Sequence, residues 1–399
     1  MRPRWRLRLV SNRMKERIIT GVDVGTYQVK VVVAKQSATE PTTPLQIIGT
    51  GLSESRGLRN GYIVNEADVT RSVHSAIREA EKSTGLPIKR CYLSISSIGL
   101  DEIFSHGEII TARADSEVTG ADIEKVVEDS EERIQEHIPN RKVLHDIPIN
   151  FTLDNEPVLG RPVGLRGTKL EVDALFVTVI EQHVADLINA VEAAGVMVED
   201  VMAAPLAASF VLVSKAQKRA GCVLANLGAE TLSIAVFENS LPVSVKVFPV
   251  GSNDITNDLA LGLKIPLEEA ERVKRGIGGS YPKRKLDEII SSRLADMFEL
   301  VDTHLKRIKR DGLLPAGIIL TGGGANLAGI EDVAKSSLRL PSRLAFLDPS
   351  SNGKVRDPIW AVAYGLCVWG ANDRQEDAGI GIAKQAKNSL LHWLSQFLP

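Results

Sequence analysis

Aromatic side chains make up only 5% of this 399-residue chain, cysteine occurs three times, and the formal net charge is −2. Each shortage excludes something. A balanced charge gives no global pull toward nucleic acid. Cys91, Cys222 and Cys367 each sit beside apolar residues and form no CxxC pair. That excludes a disulfide scaffold and a thiolate metal site, and predicts reduced core thiols in a cytosolic protein. The seven histidines show no HxxH spacing, and no run of eighteen apolar residues exists, so no spanning helix is predicted. What is present is an ordinary globular composition, 44% hydrophobic and 25% charged, on a chain long enough for two domains or more.

The two ends differ from the rest. Residues 1–17 carry Arg2, Arg4, Arg6, Arg8, Arg13, Lys15 and Arg17 without an apolar centre. They are no signal peptide and read as a basic disordered extension, or as a misassigned start ahead of Met14. Residues 372–381 read as an acidic, Gly-containing linker, and 382–399 as an amphipathic helix. At helical spacing Leu390, Leu391, Trp393, Leu394, Phe397 and Leu398 share one half of the wheel. Lys384 and its polar neighbours take the other half, and Lys387 intrudes on the apolar side, where its stem can snorkel. Such a helix beyond a tether can lie in a membrane interface; it can equally pack back on its own domain. Two lysines and a histidine add modest lipid attraction, about 1 kcal/mol per Lys.

Between the ends one plan occurs twice. Ile18–Val24, Gln28–Lys35 and Leu45–Leu52 read as a three-strand meander, followed by a helix capped by Asn65 and Gly85 and a strand at Cys91–Ile95. Cys222–Leu227, Thr231–Phe237 and Val243–Val250 repeat the meander, a helix follows at Asn253–Leu263, and a strand at Gly317–Thr321 leads through three glycines to a helix expected from Leu327. Residues 98–180, with strands at Gly107–Ala112, Val143–Leu153 and Leu170–Val179 around a helix at Gly120–Ile138, read as an inserted α+β subdomain. Residues 255–314 read as an inserted helical subdomain whose long helix runs from Leu286 to about Lys309. The first-lobe core is then 18–97 and 181–205 with 356–371, and the second is 206–254 and 315–355.

The glycines fall at the joints. Asp23-Val24-Gly25-Thr26, with Lys30 beyond, occupies the first hairpin turn, and Gly228-Ala229-Glu230-Thr231 the equivalent turn of the second copy. Glycine lets backbone approach a phosphate, and turn N–H groups form an anion nest. Thr26 adds a hydroxyl donor, and Asp23 can hold the hydration shell of Mg²⁺. Gly322-Gly323-Gly324, between a strand and a helix, suits phosphate or ribose. One such turn is common in any hairpin; three at these joints predict a phosphate clamp between two like domains.

GVDVGTYQVKVVV (21–33), ANLGAETLSIAVF (225–237), EEAERVKRG (268–276), LTGGGANLAGI (320–330) and PIWAVAYGL (358–366) resemble the actin-like ATPase superfamily. FPVGSNDITNDLALGL (248–263), the inserted subdomain and the terminal helix are similar, within it, to the FtsA family of bacterial cell-division proteins, over roughly residues 18–399. The resemblance implies an α/β, actin-like two-lobed fold of duplicated RNase H-like domains, with ATP and Mg²⁺ in the cleft. It assigns Asp23, Gly25, Thr26 and Lys30 to the first phosphate loop, Gly228 and Thr231 to the second, and Gly322, Gly323 and Gly324 to the adenosine motif. Glu271 and Lys274 match helix positions that touch ribose and adenine. The family's second loop usually reads DxGGGTTD. Here Asn226 stands for the first Asp, a poorer partner for hydrated Mg²⁺, and Ala229, Glu230 and Ser233 replace Gly, Gly and Asp. Glu230 would repel phosphates unless it turns outward. The sequence assigns no catalytic acid or base, so ATP binding with weak or absent hydrolysis is the expectation.

The resemblance also implies partners. Residues 288–301 are similar to the segment that receives the C-terminal peptide of the tubulin-like protein FtsZ, and Arg293 matches a family arginine there. Actin-like lobes stack end to end, so self-association into filaments is expected, with 98–180 as a candidate contact, together with other divisome proteins and a lipid surface. The implied role is an adaptor that tethers FtsZ filaments to the cytoplasmic face of the bacterial inner membrane at the division site. Two rivals share the fold: a sugar kinase, which needs a catalytic Asp signature not found here, and a type IV pilus assembly scaffold, which lacks the membrane tail.

Overall fold

The computed structural model describes residues 16–37, 45–111, 116–277, 279, 281–347 and 357–373. The amphipathic segment 382–399, most of the linker and residues 1–15 lie outside the described residues.

β1 (Arg17–Val24), β2 (Gln28–Gln36) and β3 (Gln46–Glu54) form the first antiparallel meander. Val29, Val31, Val32 and Val33 are all fully buried, which alternation alone does not allow. The reason is cover on both faces of the sheet: α1 packs on one and α10 on the other. A short hairpin, β4 (Leu58–Arg59) and β5 (Tyr62–Ile63), leads to α1 (Glu66–Thr84). Asn65 caps that helix by accepting the Asp68 N–H at 3.2 Å, and Gly85 ends it at φ 71°. β6 (Arg90–Ile95) then returns parallel to β1.

The insertion follows: β7 (Asp101–Ile110), α2 (Gly120–Glu132), β8 (Arg141–Leu153), β9 (Glu156–Val158) and β10 (Lys169–Ile180), an antiparallel sheet in the order β7-β10-β8-β9 with α2 across one face. α3 (Glu181–Ala193) and β11 (Met197–Ala203) complete the first lobe, whose sheet order is β11-β6-β1-β2-β3. α4 (Ala204–Leu212) and α5 (Lys215–Ala220) cross to the second lobe. It contains β12 (Cys222–Leu227), β13 (Leu232–Glu238), β14 (Leu241–Phe248), α6 (Ser252–Leu263), α7 (Leu267–Lys274), α8 (Lys283–Arg307), β15 (Ile318–Thr321), α9 (Ile330–Leu338) and β16 (Ser342–Leu344). Its sheet order is β14-β13-β12-β15-β16, the first lobe's order repeated. The chain returns to the first lobe through α10 (Ala361–Asp373), which is apolar on every side because β1, β2 and α4 surround it. At the α4–α10 crossing a Cβ on Gly365 would lie 1.9 Å from the Ala207 carbonyl oxygen, so only glycine fits there. Cys91, Cys222 and Cys367 are buried free thiols, and burial pushes all three to about 12.

Several element boundaries differ from the sequence expectation, and three of the differences have a clear physical reason. The strand expected at Gly107–Ala112 begins at Asp101, because Asp101 and Glu102 find partners on the second lobe. The helix expected at Gly120–Ile138 is α-helical only to Glu132 and tightens to a 3₁₀ turn at Gln135–His137, while Ile134 and Ile138 keep the apolar rhythm by staying buried. The helix expected from Leu327 starts at Ile330, because Gly329 stands at φ 78° just ahead of it.

The insertion is docked on the second lobe. Lys246 Nζ reaches Asp101 Oδ1 at 2.6 Å. The Glu102 carboxylate accepts the Ser244 hydroxyl and the Val245 N–H, both at 2.7 Å, and Arg307 lies at 3.2 Å. Burial outweighs these partners and holds the Glu102 carboxyl above the usual carboxylate range. His304 Nε2 is 2.7 Å from Ser244 Oγ and its Nδ1 is 3.2 Å from Arg307. With the Ser244 hydrogen given to Glu102, neutral His304 donates from Nε2 and accepts at Nδ1. Burial, then the Arg307 charge, depresses His304 from 6.5 to about 4. The folded chain thus binds this proton more weakly than the unfolded chain. The contribution is present above pH 6.5 and lost as pH falls toward the folded value of about 4. Between pH 7.5 and 5 the stability advantage of wild type over His304→Gln should shrink by roughly 2 kcal/mol in urea unfolding. A pH-independent difference would sink this account.

Candidate functional site

The two meanders meet across one cleft, and their turns match residue for residue. In the first, Val24 faces Val29 and the Gly25 N–H bonds the Gln28 carbonyl at 3.2 Å. In the second, Leu227 faces Leu232 and the Gly228 N–H bonds the Thr231 carbonyl at 2.8 Å. By this register Gly228 answers Gly25, Ala229 answers Thr26, and Thr231 answers Gln28. The threonines at 26 and 231 are therefore not equivalent. Asp23 pairs with Lys30 across the first hairpin, and Asn226 with Ser233 across the second. At this pair of positions the first hairpin is charged and the second is neutral.

Asp23 is well held. Its Oδ2 lies 3.3 Å from Lys30 Nζ, and its Oδ1 accepts the Ser94 hydroxyl at 2.7 Å. The second turn is tied to α6, since Ser252 and Asn253 give their N–H groups to the Gly228 and Ala229 carbonyls at 2.9 and 2.8 Å. On α7, Lys274 Nζ lies 2.6 Å from Glu271 Oε2, 2.8 Å from Thr256 Oγ1 and 3.0 Å from the Ser252 carbonyl. Lys274 is thus a buried strut between α6 and α7 that still faces the cleft. Gly322 (φ 90°) follows β15, and the expected glycine joint is a 3₁₀ turn, Gly323–Asn326, ahead of α9.

Asp23, Gly25, Thr26, Lys30, Asn226, Gly228, Thr231, Glu271, Lys274, Gly322, Gly323 and Gly324 all line one cavity of about 450 Å³. That volume is within the range of small-molecule sites, roughly 300–1,000 Å³. The donor set suits a nucleotide: turn N–H groups, two ammonium groups, and Gly323, whose missing Cβ would meet nothing within 4 Å. Sequence reasoning missed Gln28, Ser252, Asn253 and Arg275, which also line it. All four lie in the stretches that carried the resemblance, but only the register and the α6 and α7 termini point to them individually.

Two predicted residues lie elsewhere. Arg293, on α8, makes a two-pronged pair with Asp258 of α6 at 2.6 and 2.9 Å, so one edge of its guanidinium clamps two helices. Its side chain is 32% exposed, and its remaining Nη1 lies 3.7 Å from Asp296 Oδ2 on the same helix. Glu230 turns out of the cavity and accepts the Asn60 N–H at 2.6 Å. Leu390, Leu391, Trp393, Leu394, Phe397, Leu398, Lys384 and Lys387 fall outside the described residues.

Twin lobes of one sheet order around a single glycine-lined cleft define an actin-like fold. Solved structures agree: the chain is similar to one titled PilM-PilN type IV pilus biogenesis complex (TM-score 0.64, 17% identity, covering 88% of this chain and 98% of that one). It is also similar to MreB5 of Spiroplasma citri bound to ADP (TM-score 0.51, 13% identity, 91% and 99%). The family model described as Cell division protein FtsA matches residues 223–365, and the one described as SHS2 domain inserted in FTSA matches 102–178. The chain belongs to the FtsA family of cell-division proteins. Curated relatives include the Cell division protein FtsA of Pseudomonas aeruginosa, 29% identical over 94% of both chains. That of Bacillus subtilis is 28% identical over 88% of this chain and 82% of its own. The insertion predicted at 98–180 contains the SHS2 match. No helix among the described residues is long and apolar enough to cross a membrane.

Proposed function

We propose that this chain binds ATP in its cleft and tethers FtsZ filaments to the cytoplasmic face of the bacterial inner membrane at the division site, where it recruits further divisome components. The observation that carries the reading is an FtsA-type insertion and an actin-like cleft in a chain that also carries an amphipathic terminal segment. The β- and γ-phosphates would rest on the turns at Gly25 and Gly228, with Lys30 as counter-charge. Gly322–Gly324 and the Glu271–Lys274 strut would hold the adenosine. Mg²⁺, which neutralises phosphate charge when bound, would sit through water on Asp23, with Asn226 a weaker partner opposite. The MreB5 structure, whose title records bound ADP, supports nucleotide as the class of ligand.

With Asn226 and Ser233 neutral where the first hairpin has Asp23 and Lys30, and Glu230 engaged with Asn60 outside the cavity, the second turn offers no carboxylate that faces the cavity to orient an attacking water. Turnover below about 1 s⁻¹ is expected; a faster steady-state rate would refute slow hydrolysis. The adaptor reading is tested by mixing fluorescent FtsZ filaments with lipid vesicles. Filaments should coat the vesicles only when the full chain and ATP are present, and bare vesicles would refute it.

The FtsZ tail peptide is assigned to the α8 face that carries Arg293. Arg293→Glu should weaken peptide binding about tenfold to a hundredfold, the cost of removing one charge-assisted contact. Unchanged affinity in fluorescence anisotropy would take Arg293 out of the site. The similarity to the PilM-PilN complex keeps a scaffold reading open at the level of fold. Vesicle binding separates the two, since that reading has no use for a lipid-seeking tail.

A further inference from the structure

The second glycine turn carries a charge that the first does not. Register equivalence sets Glu230 where the first turn has Tyr27. The turn itself cannot shift freely. Besides its bonds to α6, a Cβ on Gly251 would lie 2.3 Å from the Ala229 carbonyl oxygen, so the backbone of α6's entry is pressed against it. From this fixed base the Glu230 carboxylate leaves the cavity and crosses to the other lobe, where its Oε2 accepts the Asn60 N–H. Asn60 and Gly61 form the tip of the β4–β5 hairpin at φ 50° and 80°, and Gly61 lines the same cavity. That tip is seated as well. A Cβ on Gly61 would lie 2.4 Å from the Ser96 carbonyl oxygen, and the Asn60 carbonyl accepts the Ile98 N–H at 3.4 Å, at the threshold of the insertion.

We propose that Glu230 is a positioning residue that latches the two lobes across the edge of the cleft, so that nucleotide escapes only when the Glu230–Asn60 bond opens. The inference rests on the reading of the cleft as a nucleotide site. The physical case is one of charge. A carboxylate beside a polyphosphate is repelled, and the repulsion strengthens as water is excluded. Phosphates in the cradle therefore drive Glu230 outward, and the Asn60 N–H is the donor that receives it there. Occupancy and latch closure thus favour each other, and linkage makes the effect reciprocal: a closed latch holds nucleotide more tightly. A charged acceptor on a backbone N–H is about twice as strong as a neutral one. Because the donor is backbone, position 60 needs only a residue that accepts the left-handed conformation, as Asn and Gly do.

The test uses the full chain and a fluorescent ADP analogue, with dissociation followed by stopped flow. Glu230→Ala should release the analogue about tenfold to a hundredfold faster. Glu230→Gln, which keeps an acceptor oxygen without the charge, should fall between, and Asn60→Gly, which keeps the backbone donor and the left-handed conformation, should match wild type. Hydrogen exchange supplies a readout that a merely structural residue would not move: the analogue should protect residues 57–64 in wild type and not in Glu230→Ala. If Glu230→Ala unfolds, Glu230→Gln and the wild-type exchange decide the matter. Wild-type release and protection in Glu230→Ala, or in Glu230→Gln if only that variant folds, overturn the latch alone. A Glu230→Gln variant that loses turnover with unchanged release also overturns it, in favour of a catalytic role. Failure of the wild-type chain to bind the analogue overturns the cleft reading and the latch with it.

Discussion

Replacing Gly322 with valine should abolish the proposed nucleotide binding and cost the fold several kcal/mol. Two separate penalties add. Gly322 stands at φ 90°, where a branched residue is strained by roughly 1–3 kcal/mol. Its Cβ would also lie 2.3 Å from Asn226 Oδ1 and 2.5 Å from the Leu227 carbonyl oxygen. The first neighbour can rotate away, but the second is backbone of β12 and can yield only if the second turn moves. Overpacking of this kind costs roughly 1–3 kcal/mol more. The displaced strand end leads into Gly228, so the proposed phosphate cradle should be lost along with the proposed adenosine contact at Gly322–Gly324. Gly323→Ala is the control. Its added methyl meets no protein atom within 4 Å, so stability should hold while affinity falls. Thermal unfolding and titration with a fluorescent nucleotide measure both. A Gly322→Val chain that melts and binds like wild type would overturn the assignment of this turn.

Removing everything after Asp373 should eliminate vesicle binding while leaving nucleotide affinity unchanged. The cut must not fall earlier. α10 runs to Asp373, and Arg17 donates to the Gly370 and Ala371 carbonyls at 2.6 and 3.0 Å, so a chain ending at Gly370 would also lose a stay on β1. Within the segment, burial of Leu390, Trp393, Leu394 and Phe397 in the interface is worth roughly 1.5–3 kcal/mol per large side chain before ordering costs. Lys384 and Lys387 add about 1 kcal/mol each on anionic lipid. Losing the whole segment therefore removes orders of magnitude in partition, far more than any point change. Leu394→Glu, which removes one large apolar side chain from the stripe, should produce a smaller loss in the same sedimentation assay. Equal pelleting of the full and shortened chains would place the lipid contact elsewhere or nowhere.

Much of the site was legible because glycine leaves a local mark. Gly25, Gly228 and Gly322–Gly324 are read from turn chemistry, and all of them face one cavity. Asn65 and Gly85 bound α1 as their capping chemistry predicts. The partners of charged residues were not legible, because they come from distant segments. Nothing near Arg293 in sequence announces Asp258, and nothing near Glu230 announces Asn60. Asp101 and Glu102 look like loop residues until Lys246 and Ser244 are set beside them.

By itself, the sequence determined the duplicated meander, the placement of the glycine turns and the amphipathic tail. These are written in spacing and in backbone permissiveness, which depend only on neighbours along the chain. Only the tertiary structure decided that Ala229 rather than Thr231 answers Thr26, that Lys274 is a strut, and that Glu230 points across the cleft. A side chain's direction and its charge partner are set by whichever element packs against it. That element is chosen by the burial of the whole sheet.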